Sequence, residues 1–509
     1  MTPPGEVELG ARPLGIADVV AVARGGAGVR LAAEVAPRLA RARAVVERHA
    51  AGDAPVYGLN TGLGAAVDTR LTPDEVADFQ ARAVEARAVG VGAHLATDEV
   101  RALLLARLAG LARGASGISP ALPEAVAAMI EVGLHPRVRR VGSLGEADLA
   151  PLAEAFLPLV GGGEAELRGE VLPGAKALAR AGIARPTLGP KDGIALVNAN
   201  ALSAGLGALA VHDLGLALEA LTASAALAME AFRANLSPLD PRLVALRPAP
   251  GQAEGSSRLL ALLAGSDLLE AGRARRVQDP LSFRCAAPVH GAALAALAAA
   301  RAAVEVELNG AGDSPAVLLE GEATAEGLML SSVNFDTTAL ALALEGAGLA
   351  AAHAAALAVF RIAKLMSAPV SGLPRFLNRH GGRRNGFATA QKTASALEAH
   401  IRRLALPVGP MAAPVADGIE DYSPMTPLVV AKTAAMAGHL ARHAAVELAV
   451  AAEAVDLREP APRLGRGTAA VHAFVRARVA PLADDRPLGR DFEALAAGIE
   501  AGELASALS

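Results

Sequence analysis

Apolar residues recur along most of this chain at the three-to-four-residue spacing of a helix face, and no sustained period-two alternation competes with them. The longest such stretches fall near residues 191–232, 285–304, 334–366, 386–405 and 427–455. Ala, Leu, Arg and Glu, all strong helix formers, fill them. Thr72-Pro73-Asp74-Glu75 reads as a capping box with proline at the first helical position, and Gly90 is the predicted stop. Thr97-Asp98-Glu99 places acids in the first turn of a helix predicted to run to Gly114. Breaks are predicted at 161–163, 247–251, 367–374 and 406–414. The triplet Gly161-Gly162-Gly163 is not followed by Gly-Lys-Ser/Thr, so it reads as a turn and not a phosphate loop. Such long helices predict an all-α bundle whose apolar faces exceed what one chain covers, hence a homo-oligomer. The expected division is an N-terminal region at 1–190 carrying much of the candidate chemistry, a central long-helix bundle at 191–380 and a C-terminal helical region at 381–509.

Composition narrows the function classes. With 509 residues, 53% of them hydrophobic, the chain can bury a large core. Forty-eight basic and 52 acidic residues, mixed along the chain, give a net charge of −4 and argue against nucleic acid as a partner. The uncharged run Gly193 to His212 is long enough to raise a membrane span, but Asn198, Asn200, Ser203 and His212 within it favour a buried helix and no membrane. The lone cysteine, Cys285, cannot close an intrachain disulfide, and the opening residues lack the basic-then-apolar order of a secretory signal. A cytoplasmic protein is expected. Aromatic residues make up only 2%, so each of the two tyrosines, Tyr57 and Tyr422, calls for a reason. No His-x-x-x-His or Glu-x-x-His pairing marks a metal site, and none is expected.

Residues 142 to 152 read Gly-Ser-Leu-Gly-Glu-Ala-Asp-Leu-Ala-Pro-Leu. This stretch resembles the cofactor-forming loop of the aromatic amino acid ammonia-lyases, which reads Gly-Ser-Val-Gly-Ala-Ser-Gly-Asp-Leu-Ala-Pro-Leu. Further segments resemble the same family in order, from about residue 12 to 460. Val56 to Gly64 is similar to the loop holding its tyrosine base, here Tyr57. Lys191 to Asn198 is similar to the helix whose asparagine, here Asn198, lies beside the electrophile. Gln278 to Cys285 matches the segment that supplies a glutamine, Gln278, and the substrate-carboxylate arginine, Arg284. Asn334-Phe335 and Glu420-Asp421 match two further pocket segments, with Phe335 and Glu420 as their candidates. The resemblance implies an all-α, aspartase/fumarase-like helical bundle and a homotetramer whose active sites each draw on several subunits.

The departures carry equal weight. In the family, Ala-Ser-Gly cyclises and loses two waters to give a methylidene-imidazolone electrophile; Glu146 and Ala147 stand in its place. They offer neither a serine to dehydrate nor a glycine amide to attack, so no cofactor is expected. Arg87 occupies the place of a pocket histidine, Leu281 that of a tyrosine, Asp336 that of another histidine, and Ala199-Asn200 that of a glycine-threonine pair. A literal Ala-Ser-Gly occurs at 115–117, but about thirty residues upstream, where a structural turn is expected.

The chemistry follows from what remains. Removing a weakly acidic β-proton and expelling ammonia needs the electrophile, and a lone tyrosine does not replace it. The substrate must therefore carry its own activation: a more acidic C–H, or a leaving group better than ammonia. A tyrosine base works at neutral pH with positive charge nearby, which Arg87 or Arg284 supplies. Arg284 would hold a carboxylate bidentately, and Asn198 and Gln278 would donate to developing charge. Glu146 would be a general acid or bind a substrate cation. The expectation is an electrophile-free lyase-like enzyme acting by elimination, addition, isomerisation or cyclisation on a small carboxylate-bearing substrate. The alternatives are a non-catalytic ligand-binding or assembly protein and a conventional aromatic amino acid ammonia-lyase.

Overall fold

The computed structural model describes residues 5–52, 54–62, 68–319, 326–410 and 414–508. Leu63 and Gly64 of the tyrosine loop, and 411–413 of the last anticipated break, lie outside the described residues. Helices dominate, and the strands are short pieces of three or four residues in small separate sheets. The chain forms two compact units, each assembled from three stretches.

The first unit comprises Met1–Leu209, Arg301–Leu342 and Val408–Ala431. Helix Thr97–Ala112 is buried on nearly every side, from Val100 through Leu108 to Leu111. Its first turn is closed by the Ala96 N–H donating to Glu99 Oε2 at 2.7 Å. It stops at Ala112, near the anticipated Gly114, which itself takes a φ of +85°. The Thr72–Glu75 box forms as the sequence predicts, with Thr72 N donating to Glu75 Oε2 at 2.8 Å. Helix Pro73–Glu85, however, ends before Gly90. The guanidinium of Arg87 folds back onto the Ala83 carbonyl at 2.8 Å and takes over one of the last carbonyls, so the turn closes early. Among the described residues, four small sheets accompany these helices: Glu6–Leu9 runs parallel to Gly28–Leu31, and Val91–His94 antiparallel to Arg139–Val141. Glu164–Leu167 pairs antiparallel with both Leu134–Pro136 and Glu170–Pro173, while Ala316–Leu318 pairs with Leu328–Leu330.

The second unit comprises Ala210–Ala300, Ala343–Pro407 and Lys432–Ser509. Long helices form its core, and a buried polar tie holds three of them. Arg361 and Glu447, both with no exposed side-chain surface, form an ion pair. Ser224 Oγ donates to Glu447 Oε2 at 2.6 Å, and Arg361 Nη1 reaches the Ser282 carbonyl at 3.3 Å. With its partners in place the charge pair is fully hydrogen-bonded, the condition under which burial of ions is tolerated.

Among the described residues, three apolar stretches are long enough to cross a membrane by length and composition: Asp192–Phe232, Ala286–Asn309 and Thr338–Leu365. The most apolar window of the first is 94% buried inside the structure, as the asparagines and serine within it suggest. That stretch is not one helix. It divides into Asp192–Val197 and Ala201–Phe232, because Asn198 leaves helical geometry at φ −92°, ψ 79° and Asn200 turns its amide to neighbouring backbone.

Candidate active site

Tyr57 sits in a tight turn built by Asn60. Asn60 Oδ1 accepts from Val56 N at 2.8 Å and its Nδ2 donates to the Ala54 carbonyl at 3.0 Å, an arrangement that holds both ends of the loop. Gly58 supplies the left-handed step at φ +66°. Leu59, fully buried, anchors the turn among Ala42, Val45, Val46 and Val317. The half-buried phenol is in electrostatic contact with Arg87. Burial lowers the Arg87 pKa from its usual range, while Tyr57 and Glu420 oppose that shift by favouring its charge.

The Gly142–Ala147 loop is held from several sides. Thr337 Oγ1 donates to the Gly145 carbonyl at 2.9 Å. Ala147 N donates to Asn200 Oδ1 at 3.1 Å, and Asn200 Nδ2 reaches the Phe335 carbonyl. Asp148, with no exposed surface, accepts from Ser203 N at 2.9 Å and from the hydroxyls of Ser143 and Ser203 at 2.8 and 3.3 Å. Burial raises its pKa to about 6, and those donors work in the opposite direction. Gly145 and Ala147 both take positive φ, +99° and +65°. The second is uncommon for a residue with a Cβ and sits directly after the only glutamate of the loop.

Glu146 lines a cleft of about 240 Å³ together with Arg87, Ala147, Val415, Glu420 and Tyr422. Its backbone forms an antiparallel bridge with Asp336, which sets the two carboxyl side chains beside each other. Glu146 Oε1 is buried with no donor in reach among the described residues. The Glu146 pKa is pushed up to about 8, first by burial and then by Asp336 and Glu420. It does not cap the following helix; Asp148 holds the N-cap position of Leu149–Val160.

The structure thus brings Arg87, Glu146 and Glu420 onto one cleft, with Tyr57 coupled to it through Arg87. Asn198 is buried, and its Nδ2 donates to the Ser314 carbonyl at 2.9 Å. The Phe335 carbonyl accepts from Asn200 Nδ2, the amide whose oxygen holds Ala147 N of the loop. Gln278, Leu281 and Arg284 belong to the second compact unit. Gln278 and Leu281 are exposed there, and Arg284 Nε donates to the Asp279 carbonyl at 2.8 Å. Three residues escaped sequence reasoning as site members: Tyr422, which lines the cleft, and Asp336 and Thr338, which tie it to Glu146. Thr338 donates to Asp336 from N at 3.2 Å and from Oγ1 at 2.9 Å, and Tyr422 Oη donates to Thr338 Oγ1 at 2.7 Å. The scarcity of tyrosine and the loss of a histidine at 336 were the available signals.

The residues present do not fit a methylidene-imidazolone. Residues 145–148 read Gly-Glu-Ala-Asp, with no serine-glycine pair to cyclise. The Ala-Ser-Gly at 115–117 is a structural turn after Thr97–Ala112, as its position suggested. Gly117 N is bonded to the Gly114 carbonyl at 3.0 Å, Lys191 Nζ donates to the Ser116 carbonyl, and a Cβ on Gly117 would lie 2.3 Å from Val46. Among the described residues, no group of three or more His, Cys, Asp or Glu side chains is arranged to hold a metal ion.

Comparison with known proteins agrees with the fold. The sequence profile of the aromatic amino acid lyases matches residues 14–477. The chain is 38% identical over 503 residues to a histidine ammonia-lyase of Sorangium cellulosum, covering 98% of each chain. It is 39% identical to one of Symbiobacterium thermophilum, covering 99% of this chain and 98% of that one. Among solved structures, the ergothioneine-degrading ergothionase of Treponema denticola superposes with a TM-score of 0.91 at 29% identity, covering 98% of this chain and 99% of the other. The tyrosine aminomutase of Streptomyces globisporus superposes with a TM-score of 0.90 at 30% identity, covering 99% and 98%. Ordered motifs, helical architecture and near full-length similarity converge: this chain belongs to the aromatic amino acid lyase family, as a lyase-type enzyme of the ammonia-lyase group.

Proposed function

We propose that this protein is an ammonia-lyase-family enzyme that works without the methylidene-imidazolone, using Tyr57 as the base that removes a proton from carbon. The observation that carries this reading is Glu146-Ala147, which occupies the electrophile's loop as an ordered, hydrogen-bonded segment beside the Tyr57–Arg87 pair. Arg87 offers the positive charge a phenolate base requires. The substrate is a small carboxylate with either an acidic C–H or a leaving group better than ammonia, and the reaction an elimination, addition, isomerisation or cyclisation. Arg284 would grip the carboxylate, while Asn198 and Gln278 would donate to charge that grows in the transition state. That a relative in this fold degrades ergothioneine, and another is an aminomutase, supports a scaffold open to retargeting.

We further propose a cytoplasmic homotetramer in which Arg284 reaches the site from a neighbouring copy. On helix Thr338–Leu365, whose most apolar window is only 39% buried, Leu349 and Phe360 are 53% and 58% exposed. They stand eleven residues apart, close to three helical turns, and so share a face that a second copy would cover.

The test is Tyr57→Phe, assayed with a panel of small carboxylates including histidine, tyrosine and ergothioneine. Loss of turnover by about 10²–10⁴-fold on the best substrate is expected for a general base. Undiminished turnover refutes the assigned base. Ligand binding with no turnover by either form would instead mark a non-catalytic binding protein.

A further inference from the structure

The Glu146–Asp336 contact poses a chemical problem. The antiparallel bridge sets the Glu146 and Asp336 side chains beside each other, and two carboxylates held that close need a proton on one of them. Among the described residues no donor reaches Glu146 Oε1 to compensate a second negative charge. Glu420 lines the same cleft and adds further negative potential, while Arg87 is the cation that lines it. Asp336 in turn faces Glu307, whose own pKa is raised to about 7 by burial, then by Asp148 and Asp336. On its other side Asp336 is clamped: both of its oxygens accept from Thr338, and Thr338 accepts from the Tyr422 hydroxyl at 2.7 Å. Asp336 is thus fixed as an acceptor, and Glu146, on the buried edge of the cleft, is the member placed to carry the proton.

We propose that Glu146 and Asp336 operate as one acid, a carboxyl pair holding a single proton, in which Glu146 is the catalytic donor and Asp336, held by Thr338 and Tyr422, the positioning residue that keeps it loaded. This rests on the reading of Tyr57 as the base. The step balances without a cofactor. The Tyr57 oxygen takes the proton from carbon, and the C–H electron pair moves into a new double bond. The displaced pair settles on a substrate oxygen or nitrogen; the Glu146 O–H bond breaks and that heteroatom takes the proton. Tyr57 ends as a phenol and the pair as two carboxylates, and transfer of one proton from Tyr57 to the pair through solvent resets both. The substrate class is thereby narrowed to molecules in which an oxygen or nitrogen gains negative charge as the C–H proton leaves. The pair, Asp148, Glu307 and Glu420 are the acids at this end of the site, so the proton supply falls away as pH passes that of the pair, which is raised to about 8 for Glu146.

The experiment is infrared difference spectroscopy of the intact protein between pH 5 and 10, without substrate, on wild type, Glu146→Gln, Asp336→Asn and Tyr422→Phe. A protonated-carboxyl band that disappears near pH 8 is expected in wild type and absent in Glu146→Gln. In Asp336→Asn the amide donates to Glu146 in place of sharing a proton, so the band should vanish about one pH unit lower or more. Tyr422→Phe should move it in the same direction by less. The alkaline limb of the activity profile should follow each of these shifts. A wild type with no such band, or a band that Asp336→Asn leaves in place, overturns the pair. Because the spectra require no turnover, that result would leave the Tyr57 assignment standing, and failure of the Tyr57→Phe test would leave the band intact.

Discussion

Asp148 holds the loop that presents Glu146, and two substitutions there separate the cost of its charge from the value of its hydrogen bonds. The carboxylate is fully buried and accepts from Ser203 N and from the hydroxyls of Ser143 and Ser203. Its pKa is nonetheless raised from 3.8 to about 6, because burial outweighs those donors. A raised carboxyl pKa means that the folded state holds the proton more tightly than the unfolded chain does. Stability from this group is full below pH 4, falls as pH rises through 6, and at pH 7 is lower by about 3 kcal/mol. Asp148→Asn abolishes this titration, keeps an acceptor for Ser203 N and lets both hydroxyls turn to accept from the amide. Asp148→Ala removes the acceptor of the buried Ser203 N–H and hydroxyl, while Ser143 Oγ keeps the Ala147 carbonyl and the Gly145 N–H, a loss of about 3 kcal/mol relative to asparagine. Denaturant midpoints at fixed protein concentration, from pH 4.5 to 7.5, measure both effects. Asparagine should gain on wild type by a margin that widens with pH, with alanine well below it. A margin constant across that range, or alanine equal to asparagine, would refute the reasoning.

Other consequences concern the same loop. Ala147→Gly should stabilise by up to about 1 kcal/mol, seen as a raised thermal midpoint, since glycine adopts φ +65° without a Cβ penalty. Gly145→Ala should do the opposite and cut activity, because its Cβ would meet Thr426 N at 2.9 Å and the φ of +99° disfavours it. In the second unit, Arg361→Met alone should destabilise by about 3–5 kcal/mol by stranding the buried Glu447, and the double change with Glu447→Leu should recover most of that loss in denaturant titrations.

Much of the fold was legible in the sequence because helical spacing is a local signal. Stretches anticipated near 285–304, 334–366 and 427–455 hold the helices Ala286–Asn309, Thr338–Leu365 and Thr426–Asp456, and the capping box at Thr72 closes as its residue types require. The break at Asn198–Asn200 was not visible. Both residues lie in an apolar run that continues the helical pattern, and only the partners of their amides, Ser314 and Phe335, reveal why the helix stops. The early end of Pro73–Glu85 hinges on where the Arg87 guanidinium folds, another choice periodicity does not encode. The same holds for the carboxyl pair: Glu146 and Asp336 meet across a large separation in the chain through a single bridge. Their joint chemistry follows from that contact, not from either residue's local sequence. The composition of each compact unit from three separated stretches is likewise a property of tertiary contacts alone.

High-accuracy mass measurement of the intact, purified chain asks most directly whether an electrophile is made at all. The mass should equal that of the unmodified 509-residue sequence, whether or not the protein is enzymatically active. A mass lower by two waters, mapped by peptide analysis to any Ala-Ser-Gly or to residues 142–148, would contradict a tyrosine-driven chemistry that proceeds without the prosthetic group.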